Sequence, residues 1–358
     1  MHYNKKTHFF LPLAALFILC SLFSALLVSC GIGRNGVDSS SDVPSGSTEG
    51  TAMPDTSHGG TTTPSGGTSA GASDTDVAST TEPAPSVEVP VNAIDAAQAV
   101  IYDVSSGRVL FSRNGVIDGK VYPASTTKLF TAWVALQYLS PDEVITAGDE
   151  LSLVASDASI AYIRRGHKLT AAMLVEAMLL PSGGDAAYVI AAAAGKKIRG
   201  NSDISAKSAV SAFVGEMNAR AGAMGLSGTH FCNPDGYHNA DHYTTLEDIA
   251  RIGALALDND TIMKYARTPQ DNVIYASGQT NKWKNTNELI NPESGFYRAD
   301  AIGLKTGSTD EAGYCVLTAT RDSAGRYYII GVFGASTGDA RFADAGKLIT
   351  ILKSSLAQ

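Results

Sequence analysis

Ser125 and Lys128 stand three residues apart in the segment Ser125-Thr126-Thr127-Lys128, directly after Pro123-Ala124. If a helix begins here, this spacing places the amine beside the hydroxyl, and the free N–H groups of the helix start favour developing negative charge. A serine hydroxyl is a weak nucleophile until a base removes its proton, and a lysine can be that base when burial and a second cation lower its pKa. The pair therefore indicates nucleophilic catalysis, although the same spacing is common in helices whose serine caps and whose lysine is solvated.

Two later motifs supply side chains of the same kinds. Ser182-Gly183-Gly184 adds a second hydroxyl, and Lys305-Thr306-Gly307 adds a second amine. That second amine is the cation the first motif needs, provided that folding brings the two together. Each motif alone is common, but the ordered set of three indicates an active-site serine enzyme.

The elements that must position these residues follow from periodicity and turn signals. Strands are predicted at 97–103 and 108–112, joined by Ser105-Ser106-Gly107, and again at 303–307, 314–320 and 327–334. Helices are predicted at 125–139, at 170–180 with Thr170 as its cap, at 185–194, at 204–224 and at 339–352. Strands at both ends with helices between them predict an α+β fold, in which the N-terminal hairpin joins the C-terminal strands in one mostly antiparallel sheet beside a helical region.

The first 91 residues are predicted to be a targeting signal followed by a tether. Residues 1–29 carry Lys5 and Lys6 ahead of an apolar run, which is typical of a secretory signal. The run ends in Leu27-Val28-Ser29-Cys30, which resembles the lipobox of bacterial lipoproteins and so implies cleavage before Cys30 and a lipid on that cysteine; a single transmembrane anchor is the alternative. Residues 30–91 are rich in Ser, Thr, Gly and Pro and predict a disordered tether. The catalytic domain is predicted at 92–358.

Composition excludes several other classes. The chain has a formal net charge of −8 and no basic cluster, which argues against nucleic-acid binding. No paired cysteine motif or His-rich spacing indicates a metal site, and no cofactor is expected. Cys232 and Cys315 could pair in an oxidising exterior, but two buried free thiols are favoured.

With these residues in view, the chain resembles the serine D-Ala-D-Ala carboxypeptidases, the low-molecular-mass penicillin-binding proteins of the S11 peptidase family. The resemblance covers about 95–355. It is carried by the blocks Tyr122-Pro-Ala-Ser-Thr-Thr-Lys128, Leu180-Pro-Ser-Gly-Gly-Asp-Ala186, Asn233-Pro-Asp-Gly236 with His242-Tyr-Thr-Thr245 and Asp248, and Gly303-Leu-Lys-Thr-Gly-Ser-Thr309 with Ala312-Gly-Tyr314. It implies a β-lactamase/transpeptidase-like fold.

The resemblance also implies roles for the motif residues. Ser125 would be the acylated nucleophile, Lys128 its base, and Ser182 a proton relay. Lys305 and Thr306 would bind the substrate's terminal carboxylate, Gly307 would leave room for the acyl chain, and the backbone N–H groups of Ser125 and Ser308 would form an oxyanion hole. The implied partners are peptidoglycan stem peptides and β-lactam antibiotics. With the lipid on Cys30, the implied location is the outer face of the bacterial cytoplasmic membrane, reaching into the cell wall.

One position departs from the family pattern, and three other functions stay open. The second motif of the family is usually Ser-x-Asn, whereas this chain has Gly184, which removes an amide that would hold a substrate carbonyl. The alternatives are a class A-like β-lactamase, a D,D-endopeptidase and a non-catalytic cell-wall-binding lipoprotein. His242 is predicted to be a structural histidine that bonds the loop around Asp235, and Trp283 a packing residue in a turn.

Overall fold

The computed structural model describes residues 86–113 and 119–357. The signal, the lipobox-like segment and the tether up to residue 85 lie outside the described residues. The strands are β1 (Gln98–Asp103), β2 (Arg108–Arg113), β3 (Val144–Thr146), β4 (Lys168–Thr170), β5 (Gln270–Ile274), β6 (Thr280–Lys284), β7 (Ile302–Thr309), β8 (Gly313–Arg321) and β9 (Tyr327–Ala335). The helices are α1 (Thr127–Ala135), α2 (Ala171–Leu179), α3 (Gly184–Arg199), α4 (Ala206–Ala223), α5 (Leu246–Leu257), α6 (Asp260–Ala266) and α7 (Gly338–Leu356).

The main sheet has five strands in the order β2-β1-β9-β8-β7, and all of its pairs are antiparallel. The predicted union of the N-terminal hairpin with the C-terminal strands is therefore confirmed. Two further hairpins, β3 with β4 and β5 with β6, lie outside this sheet.

Side chains along each strand point alternately to the two faces of the sheet, and each face packs against its own hydrophobic core. On one face Val100, Leu317 and Ile329 pack with the helical region, which includes α1 and α2. On the other face Ile101 and Ile330 pack with residues of α7. The hydrophobic core begins before Asn92, the predicted first residue of the catalytic domain. Val87 is buried within it, and the Val87 N–H donates to the Leu110 carbonyl at 2.9 Å.

The helix predicted at 125–139 differs from the structure at both ends. It begins with a 3₁₀ turn over Ala124–Thr126, and its α-helical part ends at Ala135. Ala124 has a φ of 46°, a left-handed conformation that no regular helix contains. Pro141 follows shortly after the end, and a proline disfavours helical conformation in the residue before it. The predicted cap of α2 is confirmed, since the Thr170 side chain accepts a hydrogen bond from the Met173 N–H at 3.1 Å.

Candidate active site

The predicted nucleophile and its predicted base are in direct contact. Lys128 Nζ donates to Ser125 Oγ at 2.8 Å and to the backbone carbonyl of Asp235 at 2.6 Å. Lys128 is only 2% exposed, because α1 places it under the turn that carries Ser125. Burial lowers the pKa of Lys128 to about 8, while the carboxylates of Asp235 and Asp185 act in the opposite direction. About a tenth of the amine is therefore neutral near pH 7, far more than for an ordinary lysine, and this fraction can accept a proton.

Glycines let other segments approach the Ser125 turn closely. Gly236 has a φ of +82°, and a Cβ on it would lie 1.9 Å from the Ala124 carbonyl oxygen. A Cβ on Gly307 of β7 would lie 2.8 Å from the backbone nitrogen of Ser125. The space where a Gly307 side chain would lie is thus occupied by the Ser125 turn. Its effect is to seat β7 against the nucleophile. That Gly307 also leaves room for an acyl chain stays a prediction.

Lys305 and Thr306 of β7 are both buried, on opposite faces of the strand. Lys305 is fully buried, and its amine donates to the Thr306 carbonyl at 3.0 Å. Burial holds the pKa of Lys305 well below its usual value, and the charges of Lys128 and Arg341 add to this effect. The Thr306 hydroxyl bonds that of Thr286 at 2.6 Å. The second amine therefore lies within the protein rather than at the surface of the cleft, and the lowered pKa of Lys128 comes from burial and not from this second cation.

Ser182 lies in a tight turn between α2 and α3. It is 6% exposed and has a φ of 64°, a left-handed conformation that is strained for a serine and often marks functional sites. The turn is held because the Gly183 N–H donates to the Ala177 carbonyl at 2.9 Å and the Gly184 N–H donates to the Ser159 carbonyl at 2.7 Å. Within the described chain no hydrogen bond joins Ser182 to Ser125 or Lys128, so the predicted relay is not formed in this state.

Asp185 anchors the wall next to that turn. Its buried carboxylate accepts hydrogen bonds from the N–H groups of Ala161 and Ile163, both at 2.8 Å. The Ala161 carbonyl accepts in turn from Trp283 Nε1 at 3.3 Å. Trp283 is a buried packing residue as predicted, but it belongs to strand β6 rather than to a turn.

His242 is a structural histidine, as predicted. Its Nδ1 accepts from the Cys232 N–H at 3.2 Å, which leaves the Nε2 proton to be donated to Thr127 Oγ1 at 2.9 Å. Burial, with help from nearby positive groups, lowers the pKa of His242 to about 3, so the ring is neutral. It links α1 to the segment that leads to Asp235. Cys232 and Cys315 are both free thiols; Cys315 is buried and Cys232 half-buried.

An open cleft of about 900 Å³ exposes the site. Ser125, Lys128, Asp235 and Ser308 are among the residues that line it, and Lys305 is not. The arrangement brings together a nucleophile, a partly neutral base and the edge of a strand, which is what acyl transfer through a covalent intermediate requires.

Two contributors were not predicted. The Asp235 carbonyl is the second acceptor of the Lys128 amine, although the sequence showed Asp235 only as part of a family block. Arg341 of α7 donates to the Gly307 carbonyl at 3.2 Å and to the Cys315 carbonyl at 3.4 Å, and so supports β7 from behind. Nothing in its sequence neighbourhood signals this contact.

Comparisons with known proteins agree with this geometry. A sequence model of peptidase S11, described as D-alanyl-D-alanine carboxypeptidase, matches residues 81–337. The chain is 36% identical to the D-alanyl-D-alanine carboxypeptidase of Streptomyces sp. strain K15 over 255 residues, covering 68% of this chain and 82% of the relative. It is 31% identical to the D-alanyl-D-alanine carboxypeptidase DacF of Bacillus subtilis over 264 residues, covering 71% of this chain and 61% of the relative.

Among solved structures, the chain is similar to the Streptomyces K15 DD-transpeptidase. The TM-score is 0.65 at 31% sequence identity, and the match covers 75% of this chain and 100% of that chain. The predicted α+β, β-lactamase/transpeptidase-like fold is thereby confirmed.

Proposed function

The chain belongs to the peptidase S11 family of D-alanyl-D-alanine carboxypeptidases, and on that basis we propose that it removes the terminal D-alanine from peptidoglycan pentapeptides through an acyl-enzyme on Ser125. The observation that carries the proposal is the 2.8 Å contact between the Ser125 hydroxyl and the buried amine of Lys128. That contact couples the nucleophile to a base whose pKa lies near the working pH.

In the first half of the reaction, neutral Lys128 accepts the Ser125 proton as Oγ attacks the carbonyl carbon of the penultimate D-alanine. The oxyanion is held by the backbone N–H groups of Ser125 and Ser308, a type of donor whose loss costs ~3 kcal/mol of transition-state stabilisation. When the carbon–nitrogen bond breaks, the leaving amine takes a proton, for which Ser182 is the proposed relay from the lysines. Lys305 and Thr306 are the proposed ligands of the terminal carboxylate, although in this structure the Lys305 amine is buried and does not line the cleft.

In the second half, water attacks the acyl ester, the bond to Oγ breaks, and Ser125 regains its proton as the shortened peptide leaves. A β-lactam would acylate Ser125 in the same way, because its ring amide mimics the scissile bond. It would be released slowly, since its leaving group stays tethered to the acyl chain.

The test uses the full chain, fluorescent penicillin and a muramyl pentapeptide. The wild type should become labelled and release one D-alanine per peptide, detected by mass analysis of the products. Ser125→Ala should do neither while melting as the wild type does. Labelling that persists in Ser125→Ala would exclude this nucleophile, and rapid penicillin hydrolysis without peptide turnover would indicate a β-lactamase instead.

We further propose that the protein is a lipoprotein that acts outside the cytoplasmic membrane. Residues 1–29 would be the signal, Cys30 the lipidated residue, and residues 30–91 a tether that lets the catalytic domain reach the wall. No helix in residues 86–113 or 119–357 is long and apolar enough to cross a membrane. Cys30→Ala should move the protein from the membrane fraction to the soluble fraction, whereas retention in the membrane would favour a spanning N-terminal helix.

A further inference from the structure

Gly184 has no side chain, and the carboxylate of Asp235, on a neighbouring segment, lies next to the space that such a side chain would fill. A Cβ added to Gly184 would lie 2.9 Å from Asp235 Oδ2 and 3.2 Å from the Ser159 carbonyl oxygen. The Asp235 carboxylate therefore lies against the space that a side chain at 184 would occupy. Asp235 belongs to a block shared with the family, so what distinguishes this chain is that glycine at 184 leaves that carboxylate without a side chain beside it.

The Asp235 carboxylate has spare hydrogen-bonding capacity although the residue is only 2% exposed. Its Oδ1 accepts from the Tyr237 N–H at 3.3 Å, and no hydrogen bond from the described part of the chain reaches Oδ2. Lys128 is bonded to the backbone carbonyl of Asp235 rather than to its carboxylate. Asp235 lines the cleft, so the oxygen that no protein group reaches is available to a hydrogen-bond donor of a ligand.

The charges around Asp235 indicate what kind of donor the cleft accepts. The acids that line it are Asp157, Asp235, Asp310 and Glu311, and the bases are Lys128 and His238. His238 already faces Glu311 at 3.4 Å. Tyr237 ties the two aspartates on one side together, since its N–H binds Asp235 and its hydroxyl donates to Asp157 at 3.0 Å. The net negative lining favours a cation over a neutral group.

We propose that Asp235 is a specificity-determining residue that binds a free side-chain ammonium on the acyl side of the scissile bond, as carried by a diamino acid preceding the D-alanine pair. An asparagine at 184 would offer N–H donors to a substrate carbonyl, whereas a carboxylate can only accept. With glycine at 184 and the carboxylate of Asp235 beside it, this part of the cleft accepts hydrogen bonds instead of donating them. It selects substrates that are zwitterionic, with a carboxylate at one end and an ammonium at the other.

The inference rests on the proposed function and is tested with two peptides that differ by one acetyl group. These are Nα-acetyl-L-Lys-D-Ala-D-Ala, which keeps its side-chain amine, and the Nα,Nε-diacetyl peptide, which does not. The wild type should show a kcat/KM about tenfold higher for the free amine, the size expected of one charge-assisted hydrogen bond. Asp235→Asn, which keeps the shape and removes the charge, should bring the ratio of the two values close to one.

Glu311→Gln is the matched control, because this acid lines the same cleft but already faces His238. Its ratio should stay within twofold of the wild-type ratio. A wild-type ratio near one, or a preference that survives Asp235→Asn, would overturn the inference. If the wild type hydrolyses neither peptide, the proposed function fails instead.

A second variant decides the matter if Asp235→Asn does not fold. Gly184→Ala places a methyl group against Asp235 Oδ2 and should also lower the ratio by displacing the carboxylate. An unchanged ratio in Gly184→Ala would then count against the inference. Because the readout is a ratio between two peptides, a general loss of activity does not affect it.

Discussion

At the scale of single residues, the reactivity of Ser125 depends on where the protein places one amine. Lys128 is in the interior, and burial is the main cause of its lowered pKa; the acids Asp185 and Asp235 oppose that effect and keep the pKa from falling further. The site thus balances desolvation against nearby charge, and the outcome is an amine that is mostly protonated at neutral pH but loses its proton far more readily than an ordinary lysine.

Acylation should therefore increase with pH. Since the pKa of Lys128 is lowered to about 8, the neutral amine becomes more abundant as pH rises, so the rate should climb about tenfold per unit below pH 8 and level off above it. The second-order rate constant for benzylpenicillin between pH 6 and 9.5 measures this. Lys128→Arg, whose guanidinium stays protonated, should lose most of the rate at every pH; a flat wild-type profile would show that another group is the base.

Sequence reasoning located these residues because local spacing encodes the pair. Three residues of separation near a helix start brought Ser125 within reach of Lys128, and the two later motifs were needed to distinguish this pair from a capping serine with a solvated lysine. The burial of Lys305 could not be predicted from spacing. The sequence of β7 does not tell whether the side of the strand that carries Lys305 packs against other parts of the protein or faces solvent. The contact between Gly184 and Asp235 joins segments about 50 residues apart and becomes visible only in the folded chain.

At the scale of elements, the site depends on β7 lying against the turn before α1. Gly307 makes this approach possible, and Arg341 holds the strand from the other side through the Gly307 carbonyl. Preorganised contacts of this kind set the position of the oxyanion donors, and small displacements there are costly for catalysis.

Gly307→Ala should therefore damage catalysis more than folding. Its methyl group would meet the Ser125 nitrogen at 2.8 Å and Ala124 Cβ at 2.9 Å, which pushes the strand away from the nucleophile. We expect acylation by penicillin to fall about a hundredfold. Gly215→Ala is the control, since a Cβ there has no neighbour within 4 Å and should stabilise α4 by about 0.5–1 kcal/mol without changing the rate. A Gly307→Ala protein that acylates normally would contradict this account of the strand.

Most elements near the motifs were predictable, and those between them were less so. The hairpin at the start, the cap at Thr170 and the three C-terminal strands carry strong local signals. Helix α5 was not predicted, although Thr245 caps it by accepting from the Asp248 N–H at 3.1 Å and this Thr-x-x-Asp spacing is a usable signal. Strands β5 and β6 are short and mostly exposed, so their sequences lack the alternation that identifies a strand.

At the scale of the whole molecule, the two ends of the catalytic domain are joined directly. Asp344 of α7 is buried and accepts hydrogen bonds from the N–H groups of Asp95 at 2.7 Å and Ala96 at 2.8 Å, just before β1. One carboxylate oxygen thus satisfies two backbone donors from the other end of the domain. This link orders the chain as it enters the sheet.

Asp344→Ala should lower the free energy of unfolding by about 2–4 kcal/mol, because two backbone N–H groups lose their partner. Urea denaturation followed by circular dichroism measures the change. Asp344→Asn keeps an oxygen acceptor and should fall between the wild type and the alanine variant. Equal midpoints for all three proteins would mean that water replaces the carboxylate without cost.

The register of β1 has a consequence for how such a chain is made. Gln98 is paired with Phe333 and Asp103 with Tyr328, so an interior strand of the sheet has to wait for a neighbour that leaves the ribosome more than 200 residues later. Until then β1 is paired only with β2, and the edge that β9 will occupy stays open. The five-stranded sheet can therefore be completed only after β9 has been synthesised, so its closure belongs to the last stage of folding.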